Sequence, residues 1–176
     1  TLFRSLAINC GSMMGKIRDM LTFEGIAYAI YDYPDMLEDM VETACLLVED
    51  ELDQVLAEVD FDLASGWEDI AFKQGPIVSL DFFERVVVPR YARIGSKLRE
   101  HGVDIWYTDC DGDVRPLIPG MLEAGLNTMF PWEVNCAGHP AHAFERFGDE
   151  LRIMGGVDKM VLASGRDAIR EYLESL

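Results

Sequence analysis

Acidic residues follow four of the short apolar segments in this chain, and carboxylates are groups with which proteins bind cations and move protons. A single carboxylate behind a strand most often caps the next helix, but four successive segments that end in this way favour one shared acidic site. The residues are Glu68 and Asp69 after 60–64, Asp109 and Asp111 after 103–108, Glu133 after 126–130 and Asp158 after 151–154. The predicted catalytic cleft consists of Glu68, Asp109, Asp111, Glu133, Asp158 and the adjacent Lys159.

Carboxylates that lie close together cannot all stay ionised without cost, because each charge raises the pKa of its neighbours. One relief is a divalent cation: Asp109, Asp111 and Glu133 offer only oxygen ligands, which suit magnesium, calcium or manganese rather than zinc. Another is a proton held by one member, which would then serve as a general acid. Lys159 could neutralise part of the cluster in place of a metal, and the sequence leaves these alternatives open.

Other residues of metal-binding type are better explained without a metal. His139 and His142 have the i, i+3 spacing of a helical ligand pair, but Pro140 predicts that the helix only begins there, which favours surface positions. The cysteines stand at 10, 45, 110 and 136, with no Cys-x-x-Cys pair. This spacing supports neither a disulfide framework nor a zinc ribbon, and a reducing cytoplasm fits it best.

Five apolar segments, each followed by a helical pattern, indicate the fold class. The segments are 5–9, 60–64, 103–108, 126–130 and 151–154. Strands that alternate with helices form parallel sheets, so we predict five parallel strands, adjacent in this order, in one α/β domain over residues 1–176. A Gly-x-Gly-x-x-Gly phosphate loop is absent from the sequence, which favours a (β/α) barrel over a nucleotide-binding sheet. In a barrel, the residues behind the strands gather at the C-terminal rim.

Helical periodicity and caps predict the connections between these strands. Pro89 should break or restart a long helix, because proline lacks an N–H and clashes with the preceding turn. Ser164 should cap the last helix. The predicted helices cover Pro34 to about Val59, a stretch from a cap at Ser79 or Asp81 to His101-Gly102, about 115–124, about 140–147, and the residues behind Ser164.

The net charge of −17 argues against nucleic acids and anionic membranes as partners, since both require clustered Lys and Arg. From Asp32 to Asp69 there are fourteen Asp or Glu and no Lys or Arg. We interpret this run as a solvated helix face, and a docking surface for a basic partner is the alternative. No apolar run reaches the roughly 18–20 residues that span a bilayer, and no signal peptide is visible, so we expect a cytoplasmic protein.

Seven short segments stand in a characteristic order along nearly the whole chain. They are Trp67-Glu68-Asp69-Ile70-Ala71-Phe72-Lys73-Gln74-Gly75, Val88-Pro89-Arg90-Tyr91, Asp109-Cys110-Asp111-Gly112-Asp113, Leu117-Ile118-Pro119, Glu123-Ala124-Gly125, Phe130-Pro131-Trp132-Glu133 and Gly155-Gly156-Val157-Asp158-Lys159. With these segments the chain resembles the uroporphyrinogen decarboxylase superfamily, which includes tetrapyrrole decarboxylases and methyltransferases that work with corrinoid proteins.

The resemblance implies that the five strands are strands three to seven of an eight-stranded TIM barrel, which makes this an incomplete barrel truncated at both ends. A complete barrel of this type needs roughly 250 residues, and this chain has 176. Two exposed sheet edges would follow, and such edges favour pairing with another chain, so a homo-oligomer through the open barrel edges is expected.

The resemblance also implies a chemistry. The zinc-dependent methyltransferases of the superfamily carry His-x-Cys at the positions that match Asp109 and Asp111 here, and two aspartates would bind a harder ion or none. The expected activity is the transfer of a methyl group between a small methylated substrate and a corrinoid protein. In that reaction the rim acids would protonate or orient the substrate.

Two alternatives remain open. A tetrapyrrole decarboxylase fits less well, because a rim crowded with carboxylates repels a polycarboxylate substrate. The tyrosine that the decarboxylases carry near their third strand also has no counterpart in residues 11–19. The second alternative is an inactive barrel fragment or an interaction module. We expect the chain alone to be inactive, whatever the parent enzyme does.

Overall fold

The computed structural model describes residues 5–175, and its central element is a parallel sheet. The strands are β1 (Ala7–Asn9), β2 (Leu63–Trp67), β3 (Ala71–Phe72), β4 (Gly75–Pro76), β5 (Trp106–Asp109), β6 (Thr128–Trp132) and β7 (Arg152–Gly155). Five of them form one sheet in the order β1-β2-β5-β6-β7, with every neighbouring pair parallel, and β3 pairs with β4 in an antiparallel hairpin. The predicted parallel pairing and strand order are confirmed.

Each strand of the main sheet begins slightly later than predicted, because the first apolar residues belong to the preceding connection. Val103 shows the reason: its N–H donates to Leu98 O at 3.0 Å, so it still terminates a helix rather than opening β5. The α/β fold with five parallel strands is compatible with part of a barrel.

The first seven helices lie between strands in sequence, and the last two follow β7. They are α1 (Gly15–Asp32), α2 (Pro34–Val55), α3 (Leu80–Phe82), α4 (Val88–Glu100), α5 (Ile118–Ala124), α6 (Val134–Ala137), α7 (Pro140–Phe147), α8 (Lys159–Leu162) and α9 (Arg166–Glu174), with a π-helical turn at Phe83–Val87 and a 3₁₀ turn at Gly148–Glu150. Within residues 5–175, none of these helices combines the length and the apolar character needed to cross a membrane.

The two faces of the sheet differ in burial. In β5, Trp106 and Thr108 are buried, whereas Tyr107 and Asp109, which point to the opposite face, are only half-buried. Ile8 and Ala64 continue the buried face in β1 and β2 and belong to the main hydrophobic core. Asp109 therefore ends its strand on the more open face of the sheet.

Pro89 does not break the path of the chain, but it stands where an α-helix restarts, which is one of the two outcomes predicted for it. The π-helical turn leads from α3 directly into α4, and Pro89 falls in the first turn of α4, where its missing N–H is tolerated. The guanidinium of Arg90 also donates to Val86 O at 3.1 Å, so a carbonyl of the π-helical turn has a side-chain partner next to Pro89. Of the two predicted caps, Ser79 is the one used: its Oγ accepts from Phe82 N at 3.2 Å.

Two helices near the C-terminal end also differ from the prediction. Asp158 caps a short helix, α8, that the sequence pattern did not reveal. Ser164 does not cap the last helix, because its hydroxyl donates back to Met160 O at 3.2 Å at the end of α8. Gly165 occupies the N-cap position of α9 without a side-chain cap.

The acidic run on α2 is partly neutralised inside the molecule. Arg90 of α4 donates to Glu42 at 2.8 Å and to Glu38 at 3.2 Å, and Arg93 donates to Glu42 at 2.6 Å and also pairs with Glu49. The interpretation as a purely solvated face is therefore corrected: one side of α2 is an ion-pair contact with α4.

Candidate active site

The carboxyl ends of β2, β5, β6 and β7 bring several of the predicted site residues to one edge of the sheet. Asp109 ends β5, Glu133 follows β6, and Lys159 opens α8 after β7. These residues and Asp111 act on one another electrostatically: Asp111 raises the pKa of Asp109, Glu133 raises that of Asp111, and Lys159 lowers that of Glu133. We call Asp69, Asp109, Asp111, Glu133 and Lys159 the rim group.

Glu68 lies beside this group in sequence but does not face the open rim. Its residue is 1% exposed, and every side-chain partner is internal. It accepts hydrogen bonds from Ser12 Oγ at 3.1 Å, from the backbone N–H groups of Met13 at 2.7 Å, Met14 at 2.8 Å and Gly15 at 3.0 Å, and from the Tyr91 hydroxyl. Burial raises the pKa of Glu68, and the donors act against that shift. The structure therefore places Glu68 in the interior instead of in the predicted cleft.

Asp69, which was not among the predicted catalytic residues, takes the place at the rim that Glu68 was predicted to fill. Its φ is 47°, a left-handed conformation that Asp tolerates better than most residues. Asp69 Oδ1 accepts from Asp111 N at 3.2 Å, and Arg18 lies 3.8 Å from Asp69 Oδ2 while also donating to the Asp69 carbonyl. Asp69 thereby links the loop behind β2 to the loop behind β5.

Both oxygens of Glu133 accept hydrogen bonds, and the Cys136 thiol is a weaker third donor, at 3.8 Å from Oε2. Its Oε2 accepts from Gly112 N at 2.9 Å, and its Oε1 accepts from Lys159 Nζ at 2.7 Å. The Lys159 ammonium is the main reason that the pKa of Glu133 lies below its usual range, and the Gly112 N–H acts in the same direction. The carboxylate of Glu133 therefore fastens the loops behind β5, β6 and β7 to one another.

Asp158 serves as a helix cap. Its Oδ1 accepts from Met160 N at 2.8 Å, in the first turn of α8, and from Asn135 Nδ2 at 3.0 Å. Asn135 lies on the wall of the cleft beside Glu133, so Asp158 supports that wall from behind.

Asp109 and Asp111 differ from the other predicted carboxylates. Within residues 5–175, neither carboxylate accepts a hydrogen bond or forms an ion pair within 4.0 Å. Burial is the first cause that raises the pKa of both groups; Asp69 and Asp111 add to the shift of Asp109, and Glu133 and Asp69 to that of Asp111. Asp109 and Asp111 are therefore the rim carboxylates left available for a ligand.

The predicted metal set does not fit this geometry. Among the residues that the structure describes, no three His, Cys, Asp or Glu side chains converge in a way that could hold a metal ion. Glu133 has both oxygens engaged, and Lys159 supplies the positive charge beside it. The metal role predicted for Asp109, Asp111 and Glu133 therefore finds no support in the arrangement of these side chains.

Two cavities are relevant to the position of a ligand. One of about 220 Å³ opens at the rim and is lined by Asp111, Trp132, Glu133, Asn135 and Lys159, among others. A larger one, of about 470 Å³, lies at the opposite end of the strands, beside the first residues of β5 and β7. Active sites of (β/α) barrels are built at the C-terminal ends of the strands, and the unpaired carboxylates lie there, so we assign the site to the smaller cavity.

Sequence reasoning missed the partners of Glu68. The sequence places Tyr91 in the segment Val88-Pro89-Arg90-Tyr91 and does not indicate its partner, although a buried tyrosine hydroxyl usually requires a hydrogen-bond partner. Its ring is 2% exposed and packs edge-on against Trp106 at 5.6 Å between ring centroids. The need of a buried tyrosine hydroxyl for a partner indicates that Tyr91 makes a hydrogen bond. The sequence does not indicate that Glu68 is the partner.

Comparisons with known proteins give one structural likeness. No protein-family model matches the sequence, and no curated protein matches it either. The fold is similar to that of a methyltransferase from Methanosarcina mazei, with a TM-score of 0.63 and 19% sequence identity over 89% of this chain. The chain covers 44% of that protein, so it spans less than half of its length. The likeness shows that the chain has the fold of part of this methyltransferase.

Proposed function

We propose that the rim group forms part of a methyl-transfer site, in an enzyme that moves a methyl group between a small methylated substrate and a corrinoid protein. The observation that carries this proposal is the pair of unpartnered carboxylates, Asp109 and Asp111, at the C-terminal rim of a sheet with a methyltransferase-like fold. The neighbouring carboxylates are already engaged, so these two are the groups that a substrate would meet.

The chemistry of methyl transfer gives the two aspartates a role. When a methyl group leaves an oxygen or a sulfur atom, that atom keeps the electron pair of the broken bond and is stabilised by a proton. A carboxyl group with a raised pKa stays protonated at a higher pH than an ordinary aspartic acid, and it can donate that proton. The corrinoid of the partner protein supplies the cobalt that exchanges the methyl group. Asp111, on the wall of the rim cavity, is the proposed acid. Asp109, which ends β5 and interacts electrostatically with Asp111 without lining that cavity, is proposed to orient the substrate from outside it.

Charge favours methyl transfer over tetrapyrrole decarboxylation. A polycarboxylate substrate needs unpaired cations, but Lys159 is bound to Glu133, and Arg18 is bound to Asp69. Asp109 and Asp111 add unpaired negative charge to this rim, and like charges repel strongly in a partly buried cleft.

The test uses the full encoded protein with a corrinoid protein whose visible spectrum reports the state of its cobalt. Methanol, a methylated amine and a methylated thiol are supplied in turn, and carbon dioxide release from uroporphyrinogen is measured in parallel. We expect one methylated donor to change the corrinoid spectrum only when the protein is present. Carbon dioxide release without any change in the corrinoid spectrum would refute methyl transfer.

A further inference from the structure

Side chains and backbone groups join the loops behind all five parallel strands into one connected rim. Glu68, behind β2, binds the loop behind β1 through residues 12–15. Asp69 accepts a hydrogen bond from Asp111 N in the loop behind β5. In the same loop, Gly112 N donates to Glu133, which follows β6. Glu133 in turn binds Lys159, which follows β7. The position of each loop therefore depends on its neighbour.

Glu68 is the most heavily bonded member of this chain of contacts. A helix N-terminus leaves several backbone N–H groups without partners and carries a partial positive charge, which an anion stabilises. In α1 the anion is the internal carboxylate of Glu68, which is fully enclosed and satisfied by five donors. The fit is close: a Cβ atom on Gly15 would lie 2.7 Å from the carbonyl oxygen of Glu68.

The anchoring of Glu68 constrains the residue that follows it. Glu68 N donates to Asp109 O at 2.8 Å, so both the backbone and the side chain of Glu68 have fixed partners. Asp69 then continues at a positive φ, with its carbonyl bound by Arg18. This left-handed turn brings Asp69 Oδ1 to Asp111 N.

We infer that Glu68 is a positioning residue: together with Tyr91 it fixes the turn at Asp69 and, through Asp69, the loop that carries Asp111. Glu68 touches no ligand-accessible surface, so it acts on the reaction through these residues. The inference rests on the proposed function in one respect, namely that Asp111 is the group that meets the substrate.

The test changes one donor and leaves the packing in place. Tyr91→Phe removes the hydroxyl that donates to Glu68 but retains the ring, which packs against Phe83 and Trp106. The matched control is Tyr28→Phe, because Tyr28 lies on α1 and is 61% exposed. If Tyr91→Phe fails to fold, Ser12→Ala removes another donor of Glu68 and takes its place.

The first readout is amide hydrogen exchange, which does not depend on catalysis. We expect the Asp111 amide to exchange about tenfold faster in Tyr91→Phe, the size expected for the loss of one hydrogen bond to a charged group. The amide of Met121 in α5, which is bonded to Leu117 O at 3.0 Å and to no residue of the rim, should change less than about twofold. Equal acceleration at both amides, or none at Asp111, would overturn the inference, because Glu68 would then support only overall stability.

The second readout separates this inference from the proposed function. In the methyl-transfer assay, Tyr91→Phe should lower kcat about tenfold while KM stays within about twofold, since a displaced acid affects the transition state more than binding. If no methyl transfer is found but exchange at Asp111 still accelerates, the proposed function fails and the positioning of this loop by Glu68 stands. If methyl transfer is found and kcat is unchanged in Tyr91→Phe, the positioning role in the reaction fails alone.

Discussion

Replacing an unpaired rim carboxylate should stabilise the fold. Asp109→Asn removes a negative charge that interacts with Asp69 and Asp111 and that accepts no hydrogen bond from residues 5–175. Asn has nearly the same size as Asp but no charge. Its introduction is expected to stabilise a protein at a position where the charge serves a ligand rather than the fold.

The expected gain in the free energy of unfolding follows from the charges near Asp109. Asp109 and Asp111 are two residues apart; at about 6.5 Å, the spacing of two residues along a strand, unit charges repel by about 0.6 kcal/mol in a water-like dielectric. Asp69 adds a similar repulsion, and physiological salt reduces the sum because the Debye length is about 8 Å. We therefore expect Asp109→Asn to raise the free energy of unfolding by about 1 kcal/mol at pH 7.

The pH dependence has a defined sign. The folded-state pKa of Asp109 is raised by burial and by neighbouring carboxylates, so its contribution to stability is full below the unfolded pKa, about 4, and is lost as the pH rises through the folded pKa. The stability gain of Asp109→Asn should therefore be absent near pH 4 and should grow toward pH 8.

Urea unfolding of wild type and variants at pH 4, 6 and 8 measures this gain. The matched control is Glu133→Gln, which removes a carboxylate that binds Lys159 and Gly112 N; it should lower stability at pH 6 and 8. A loss of stability in Asp109→Asn at pH 8, comparable to that of Glu133→Gln, would show that Asp109 is a structural group and would refute the reasoning.

Three further predictions concern packing, ion pairs and thiols. Gly95→Ala places a methyl group against a backbone carbonyl of α5 and should lower the free energy of unfolding by about 2–3 kcal/mol in urea titrations. Arg93→Met removes two ion pairs with α2 and should cost about 0.5–1 kcal/mol, an effect that 1 M salt should largely abolish if it is electrostatic. Cys136 should react with a thiol reagent at pH 8 well before Cys10 and Cys110, because burial raises the pKa of both of those thiols to about 12; equal rates in the folded protein would contradict their burial.

The fold was largely predictable because its signals are local and periodic. Strand–helix alternation led to five parallel strands in the observed order, and the helices predicted over about 115–124 and about 140–147 end at Ala124 and Phe147. The helix restart at Pro89 was predictable from the residue type, but the sequence gives no sign of the π-helical turn that leads into it. Ser164 was misjudged because a serine can cap one helix or bond back into the preceding one, and only the three-dimensional path decides.

The meeting of acidic residues at one edge of the sheet was predictable from the sequence, but the hydrogen-bond partners of each residue were not. Parallel strands bring their carboxyl ends together, which is why Asp109, Asp111 and Glu133 meet at one rim. Glu68 and Asp69 are adjacent, and only the turn between them determines which one is buried and which one reaches the rim. The sequence also offers no way to count the donors around each carboxylate, so it could not separate the engaged groups from the free ones.

The central claim is that Asp109 and Asp111 act on the substrate while neighbouring carboxylates hold the rim together. It is tested most directly by the rate of methyl transfer to or from a corrinoid protein in Asp109→Asn, Asp111→Asn and Asp113→Asn. Asp113 lies on the same loop but is paired with Arg115 at 2.7 Å, so it is a matched control. We predict that the first two variants lose about 100-fold or more in kcat and that Asp113→Asn stays within about threefold of wild type. Equal rates in all three variants would contradict the claim.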